Sequence, residues 1–165
     1  MKKEIIYILL IIGAILILSQ LFWLSMPFVN RTESWGITNT FGFNLVRMTE
    51  RTEPLGVAFR FLLVPMLIAS IGKVLLTQKY QDSFKKQLNI LNLFIALASL
   101  GYGFAVYQSV RFVKILWGSS PTATISMAHG SIIAIITAIT VGVLYLFIFI
   151  YSCIEKKKKS EVSED

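Results

Sequence analysis

The chain has 165 residues, of which 55% are hydrophobic and only 15% charged, with a formal net charge of +7. That leaves too little polar surface to coat a water-soluble domain, in which about a quarter of residues are charged. The single Cys excludes an internal disulfide, and the lysines lie beside apolar runs, where they suit anionic headgroups rather than nucleic acid.

The first apolar run extends from Ile5 to Phe28. About 20 helical residues at about 1.5 Å rise cover the roughly 30 Å of a hydrocarbon core. Lys2 and Lys3 precede the run as they would precede a signal peptide. A secretory apolar region is shorter, however, and ends at a small-residue cleavage site. This run continues through Leu21-Phe22-Trp23-Leu24 to Pro27 without an Ala-x-Ala pattern, which predicts a retained signal anchor.

Residues Val29 to Pro54 form the first loop. Apolar residues alternate with small or polar ones at Trp35, Ile37, Phe41, Phe43 and Leu45, a period of two that predicts extended structure. Thr38-Asn39-Thr40 is the expected turn of a short hairpin. Such a hairpin is marginal alone and must rest on the bundle or on a partner. Trp35, Ile37, Phe41 and Phe43 are therefore the candidate partner surface. The Asn30-Arg31-Thr32 sequon matters only in a eukaryotic secretory pathway. Four spans with a large first outer loop resemble in ground plan the claudin-like tetraspans, with Trp35-Gly36 where that family places a Trp-containing motif. The resemblance implies a small sheet in this loop, although the paired loop cysteines of that family are absent.

The second run, Leu55 to Leu76, contains Arg60 and Lys73 with twelve uncharged residues between them. Arg60 lies about one and a half turns inside the start of the run, its expected outer end, where its guanidinium either snorkels to lipid phosphates or ties Glu50 or Glu53 of the preceding loop to the helix. Pro65 removes a backbone hydrogen bond and is expected to kink the span.

The third run, Leu88 to Val110, carries Asn89 and Asn92 one turn apart, suited to bonding a neighbouring helix. It also carries two overlapping small-x-x-x-small pairs, Ser99 with Gly103 and Gly101 with Ala105. Arg111 to Trp117 reads as an interfacial continuation of this helix. Gly118 to Thr124, containing Pro121, reads as an irregular turn.

The fourth run spans His129 to Cys153, with Gly130, Ala134, Ala138 and Gly142 recurring every four residues. Small residues let helix backbones approach closely in lipid, so spans three and four are expected to pack together. Residues 155–165 are lysines followed by acidic and Ser residues, with too few apolar groups to fold.

Ten basic residues, all Lys, fall at one set of span ends and six, five of them Arg, at the other. The positive-inside rule then places both termini in the cytoplasm. His129 and Cys153, the only His and Cys, are 24 residues apart, about 36 Å along a helix. They cannot form a nucleophile–base pair or a metal site within one chain. No Asp or Glu lies in any span, which weighs against proton-coupled carriers. No phosphate loop, dinucleotide fingerprint or catalytic triad is present.

The sequence therefore predicts an all-α membrane protein, a four-transmembrane-helix bundle with a short extracellular β-hairpin-like loop and a tail from residue 155. No cofactor or metal is expected. The expected partners are the lipid bilayer and another membrane protein or a second copy of the chain, with no nucleic acid. The expected location is a bacterial plasma membrane. The function expected is non-enzymatic, that of an accessory, assembly, immunity or sensing subunit acting through protein contacts. The alternative is a small oligomeric transporter or channel subunit.

Overall fold

A computed structural model describes residues 3–33, 36–42, 44–45, 54–80, 85–117 and 124–162, with side chains omitted for 54–61, 78–80, 85–86, 116–117 and 156–162. The elements follow in the order α1 (Lys3–Trp23), β1 (Pro27–Glu33), β2 (Gly36–Phe41), α2 (Pro54–Tyr80), α3 (Lys85–Trp117), β3 (Thr124–Met127) and α4 (His129–Val162). Trp35, Phe43 and the carboxylates Glu50 and Glu53 lie outside the described residues, as does the side chain of Arg60.

The four helices form a ring in which α1 touches α2 and α4, and α3 touches the same two helices. The most extensive packing is between α3 and α4. Tyr102 of α3 and Tyr145 of α4 are fully buried, with Ile17, Met66, Ile95 and Val141 filling the space around them.

Large apolar side chains also cover the outside. Ile15, Leu97, Ile136 and Val143 are each more than half exposed, whereas Gln20, Ser70, Asn92, Ser99 and Ser109 are buried. Apolar side chains all round a helix mark burial in a large core or in lipid. Three helices are long and apolar enough to cross a membrane, over Glu4–Trp23, Gln87–Ile115 and His129–Glu155. In α2 the apolar stretch with described side chains, Leu62–Thr77, is shorter. The helical composition and apolar exterior are consistent with a helical membrane protein.

The structure corrects the end of the first run. Helix α1 stops at Trp23, and Ser25 and Met26 turn back through bonds to the carbonyls of Phe22 and Trp23, 3.0 and 2.9 Å. Pro27 then begins β1. Phe28, read as the last residue of the first run, is fully buried. The register between β1 and β2 shifts between Pro27 and Val29. This irregularity turns Phe28 and Val29 inward in succession, as a bulge re-aims side chains.

The hairpin turn also lies elsewhere than expected. Thr38, Asn39 and Thr40 are mid-strand, opposite Arg31, Asn30 and Val29 of β1, and the pair Glu33–Gly36 closes the hairpin. Two threonines are good strand residues, and the partner strand β1 begins with the last two residues of the first run and continues into the start of the loop. Gly36 has φ +151°, a conformation that side-chain-bearing residues rarely adopt.

β3 adds a third strand to the sheet, in the order β2-β1-β3. It pairs antiparallel with β1 from Val29↔Met127 to Thr32↔Thr124. Helix α3 runs unbroken to Trp117, and α2 continues through Pro65. Helix α4 runs to Val162, through a segment in which no regular structure was expected. Lys and Glu, which fill much of that segment, are good helix formers.

The sheet edge and the groove beside it

The sheet stands where α1 ends and α4 begins. Ala128, the residue before α4, donates its N–H to the Phe28 carbonyl at 2.9 Å, so the start of α4 is stitched to β1. Gly130 is pressed on the same segment. A Cβ there would lie 2.5 Å from the Pro27 carbonyl oxygen and 2.8 Å from the Met26 Cβ. Gly42, just after β2, is equally confined, its missing Cβ 2.8 Å from the Leu24 backbone. Gly42 thus allows the end of β2 to dock beside the end of α1, and Gly130 allows α4 to dock on the start of β1.

β2 is the edge strand, and nearly every residue in it is exposed. Ile37 is 68% and Phe41 42% exposed. Behind the sheet lies a half-open groove of about 430 Å³. Its apolar lining comes from Trp23 and Met26 at the end of α1, Ile37 of β2 and Ile133 of α4. Its polar lining comes from Asn30 and Asn39, which face each other across β1 and β2, and from His129. The Trp23 Nε1–H donates to Ser19 Oγ at 3.1 Å, so its polar edge is already engaged.

The small residues of spans three and four are placed as follows. Ser99 Oγ donates to the Ala138 carbonyl at 2.7 Å. A Cβ on Gly103 would sit 3.2 Å from the Ala138 Cβ, and one on Gly142 would sit 2.7 Å from Leu100 Cγ and Cδ2. These four residues form the α3–α4 seam. Gly130 meets β1 instead, and the Ala134 carbonyl faces α1, accepting a 3.4 Å bond from Gln20 Nε2. A four-residue repeat drifts by about 40° per step, so one stripe of small residues serves successive neighbours. Gly101 turns to α2, its missing Cβ 3.3 Å from Leu62 Cδ1, and Ala105 is buried in the core.

At the far end of the bundle the polar residues cluster. The Lys73 ammonium is buried and donates to the Leu88 carbonyl at 2.5 Å, tying α2 to the first turns of α3. Asn92 Nδ2 donates to Asn89 Oδ1 at 3.5 Å, and Asn89 Nδ2 reaches Cys153 Sγ of α4 at 3.4 Å. His129 stands at the opposite end of α4 from Cys153. Among the described residues no group of three His, Cys, Asp or Glu could hold a metal ion.

Reading the sequence alone missed Gly13, Gly42, β3 and the burial of Lys73. A Cβ on Gly13 would lie 2.5 Å from Tyr145 Cε2, and the Tyr145 hydroxyl donates to the Leu10 carbonyl at 3.5 Å. The adjacent small residues Gly13-Ala14 were the available signal. For β3 the signal was the alternation in Thr124-Ile125-Ser126-Met127, whose Ile125 is buried. Comparisons with family models, with curated proteins and with solved structures each found no match.

Proposed function

We propose that this chain is a four-span, non-enzymatic membrane protein that acts through protein contacts made by its sheet. In this reading both termini are cytoplasmic, the sheet is extracellular and the membrane is a bacterial plasma membrane. The orientation is supported by ten lysines towards the end of the bundle opposite the sheet, nine of them near chain or helix ends and Lys73 buried within α2, against six basic residues at the sheet end.

The observation that carries the function is the edge strand. β2 presents Ile37 and Phe41 to solvent and leaves one row of backbone groups outside the sheet. An exposed edge with apolar side chains is a template for a partner strand or a flat apolar surface. A pore within one chain is disfavoured because the ring of helices is filled by Tyr102 and Tyr145.

The test is photocrosslinking in cells from Thr38 and Phe41, one on each face of β2, with Thr140 on the exposed side of α4 as control. A discrete protein adduct, with a second membrane protein or another copy of the chain, is expected from β2 and not from the control. Absence of any protein adduct, together with solute flux in liposomes, would replace this reading with a transport role.

A further inference from the structure

We propose that the groove between the sheet and the ends of α1 and α4 holds one phospholipid, its phosphate among Asn30, Asn39 and His129 and its acyl chain running down the α1/α4 exterior. This rests on the bundle lying across a bilayer, as read above. A volume of about 430 Å³ falls within the roughly 300–1,000 Å³ of small-molecule sites.

The polar end suits a phosphodiester. The side-chain amides of Asn30 and Asn39 make no hydrogen bond to the described residues, and each offers two N–H donors. His129 opens α4, a helix of 34 residues, at the end where the N–H groups of His129 and Gly130 precede the first intrahelical bonds and the dipole favours an anion. Ser131 and Ile132 turn their N–H groups back to the Ala128 carbonyl, at 3.2 and 3.3 Å. This fixes the first turn against the groove.

The other end suits an acyl chain. Ile133 lines the groove and also belongs to the exposed row Ile132, Ile133 and Ile136 on α4. On α1 the face of Trp23 continues through Ser19, the half-buried Leu16 and the exposed Ile12. The groove thus opens onto an apolar exterior more than a helical turn long, without a charged residue. A ligand with an anionic head and a long apolar tail matches both ends at once. A soluble anion would leave the Trp23, Met26, Ile37 and Ile133 walls uncovered.

The test is native mass spectrometry of the full chain in mild detergent with phosphatidylglycerol added. One lipid per chain should survive detergent stripping. Retention should fall about tenfold, a loss of about 1.4 kcal/mol, in Ile133→Trp, which fills the groove, and in the double variant Asn30→Ala/Asn39→Ala. Ile139→Trp, exposed further along α4, should retain the lipid. The Asn variant decides the matter if Ile133→Trp fails to fold. No retained lipid in the parent chain, equal retention in the groove variants or equal loss in Ile139→Trp would overturn the proposal. So would a photocrosslinker at Ile133 that captures polypeptide and not lipid. Extraction of the chain from membranes by alkaline wash would instead strike at bilayer embedding, a failure distinct from that of the groove.

Discussion

Glycine positions report how closely the elements of this bundle approach, because adding one carbon there has a defined collision. At Gly142 the added atom meets Leu100 at 2.7 Å, a flexible side chain, with the Ala96 carbonyl behind it at 3.3 Å. Leu100 can yield to a methyl group but not to a branched side chain. Gly142→Ile should therefore cost about 1–3 kcal/mol by overpacking, measured as a lowered unfolding midpoint in a denaturing detergent titration. An unchanged midpoint would mean that α3 and α4 do not approach along this line. At Gly13 the obstacle is the Tyr145 ring, which lies between α1 and α4 and is fully buried. Gly13→Ala should destabilise the parent chain by about 1–3 kcal/mol and cost much less in a Tyr145→Leu background. Additive losses in that double-mutant cycle would show that the two residues are not in contact. Lys73 has a different lesson. It lies inside the second run and counts with the basic residues of the expected cytoplasmic side, and its side chain is buried. Linear order gives the level of a charge along a helix, but the face it occupies depends on how neighbouring helices turn.

The four helices were legible because their signal is additive over twenty or more residues, and a single misread residue changes nothing. The sheet was legible only in part because each strand offers four to seven residues. Its register depends on partners distant in sequence, as with β1 and β3. Strand periodicity in Ile37 to Phe41 marked β2, while the turn was misplaced because Thr-Asn-Thr fits a strand as well as a turn. The true closure falls between Glu33 and Gly36, and Gly36 carries the strained angle, φ +151°. Gly36→Val should therefore strain the hairpin by about 1–3 kcal/mol. The expected readout is faster amide exchange at Arg31, Thr38 and Thr40, with α3 and α4 unchanged. Equal exchange in both proteins would show that the closure tolerates a side chain, and uniform acceleration would mean that the sheet and the bundle open together.

At the scale of the whole molecule the sheet and ten of the eleven lysines occupy opposite ends. β1 follows α1 directly and β3 leads directly into α4, so every strand is at the pole where α1 ends and α4 begins. The start of α1, the end of α4 and the facing ends of α2 and α3 are at the other pole, as four antiparallel neighbours in a ring require. The lysines at the termini make translocation of that pole unfavourable, because each would have to cross hydrocarbon close to a helix end. The connections at the sheet pole contribute strands that hydrogen-bond into one sheet, β1 from one and β3 from the other, so both lie on the same side of any membrane the bundle crosses. That coupling makes orientation an all-or-none property, testable with two single cysteines in a Cys153→Ser background. Thr38→Cys in exposed β2 should react with a membrane-impermeant maleimide in intact cells, whereas Ser160→Cys should react only after the membrane is opened. Labelling in the reverse order would invert the proposed orientation. Labelling of both in intact cells would break the four-span reading itself, because three crossings lie between β2 and residue 160 and an odd number puts them on opposite sides.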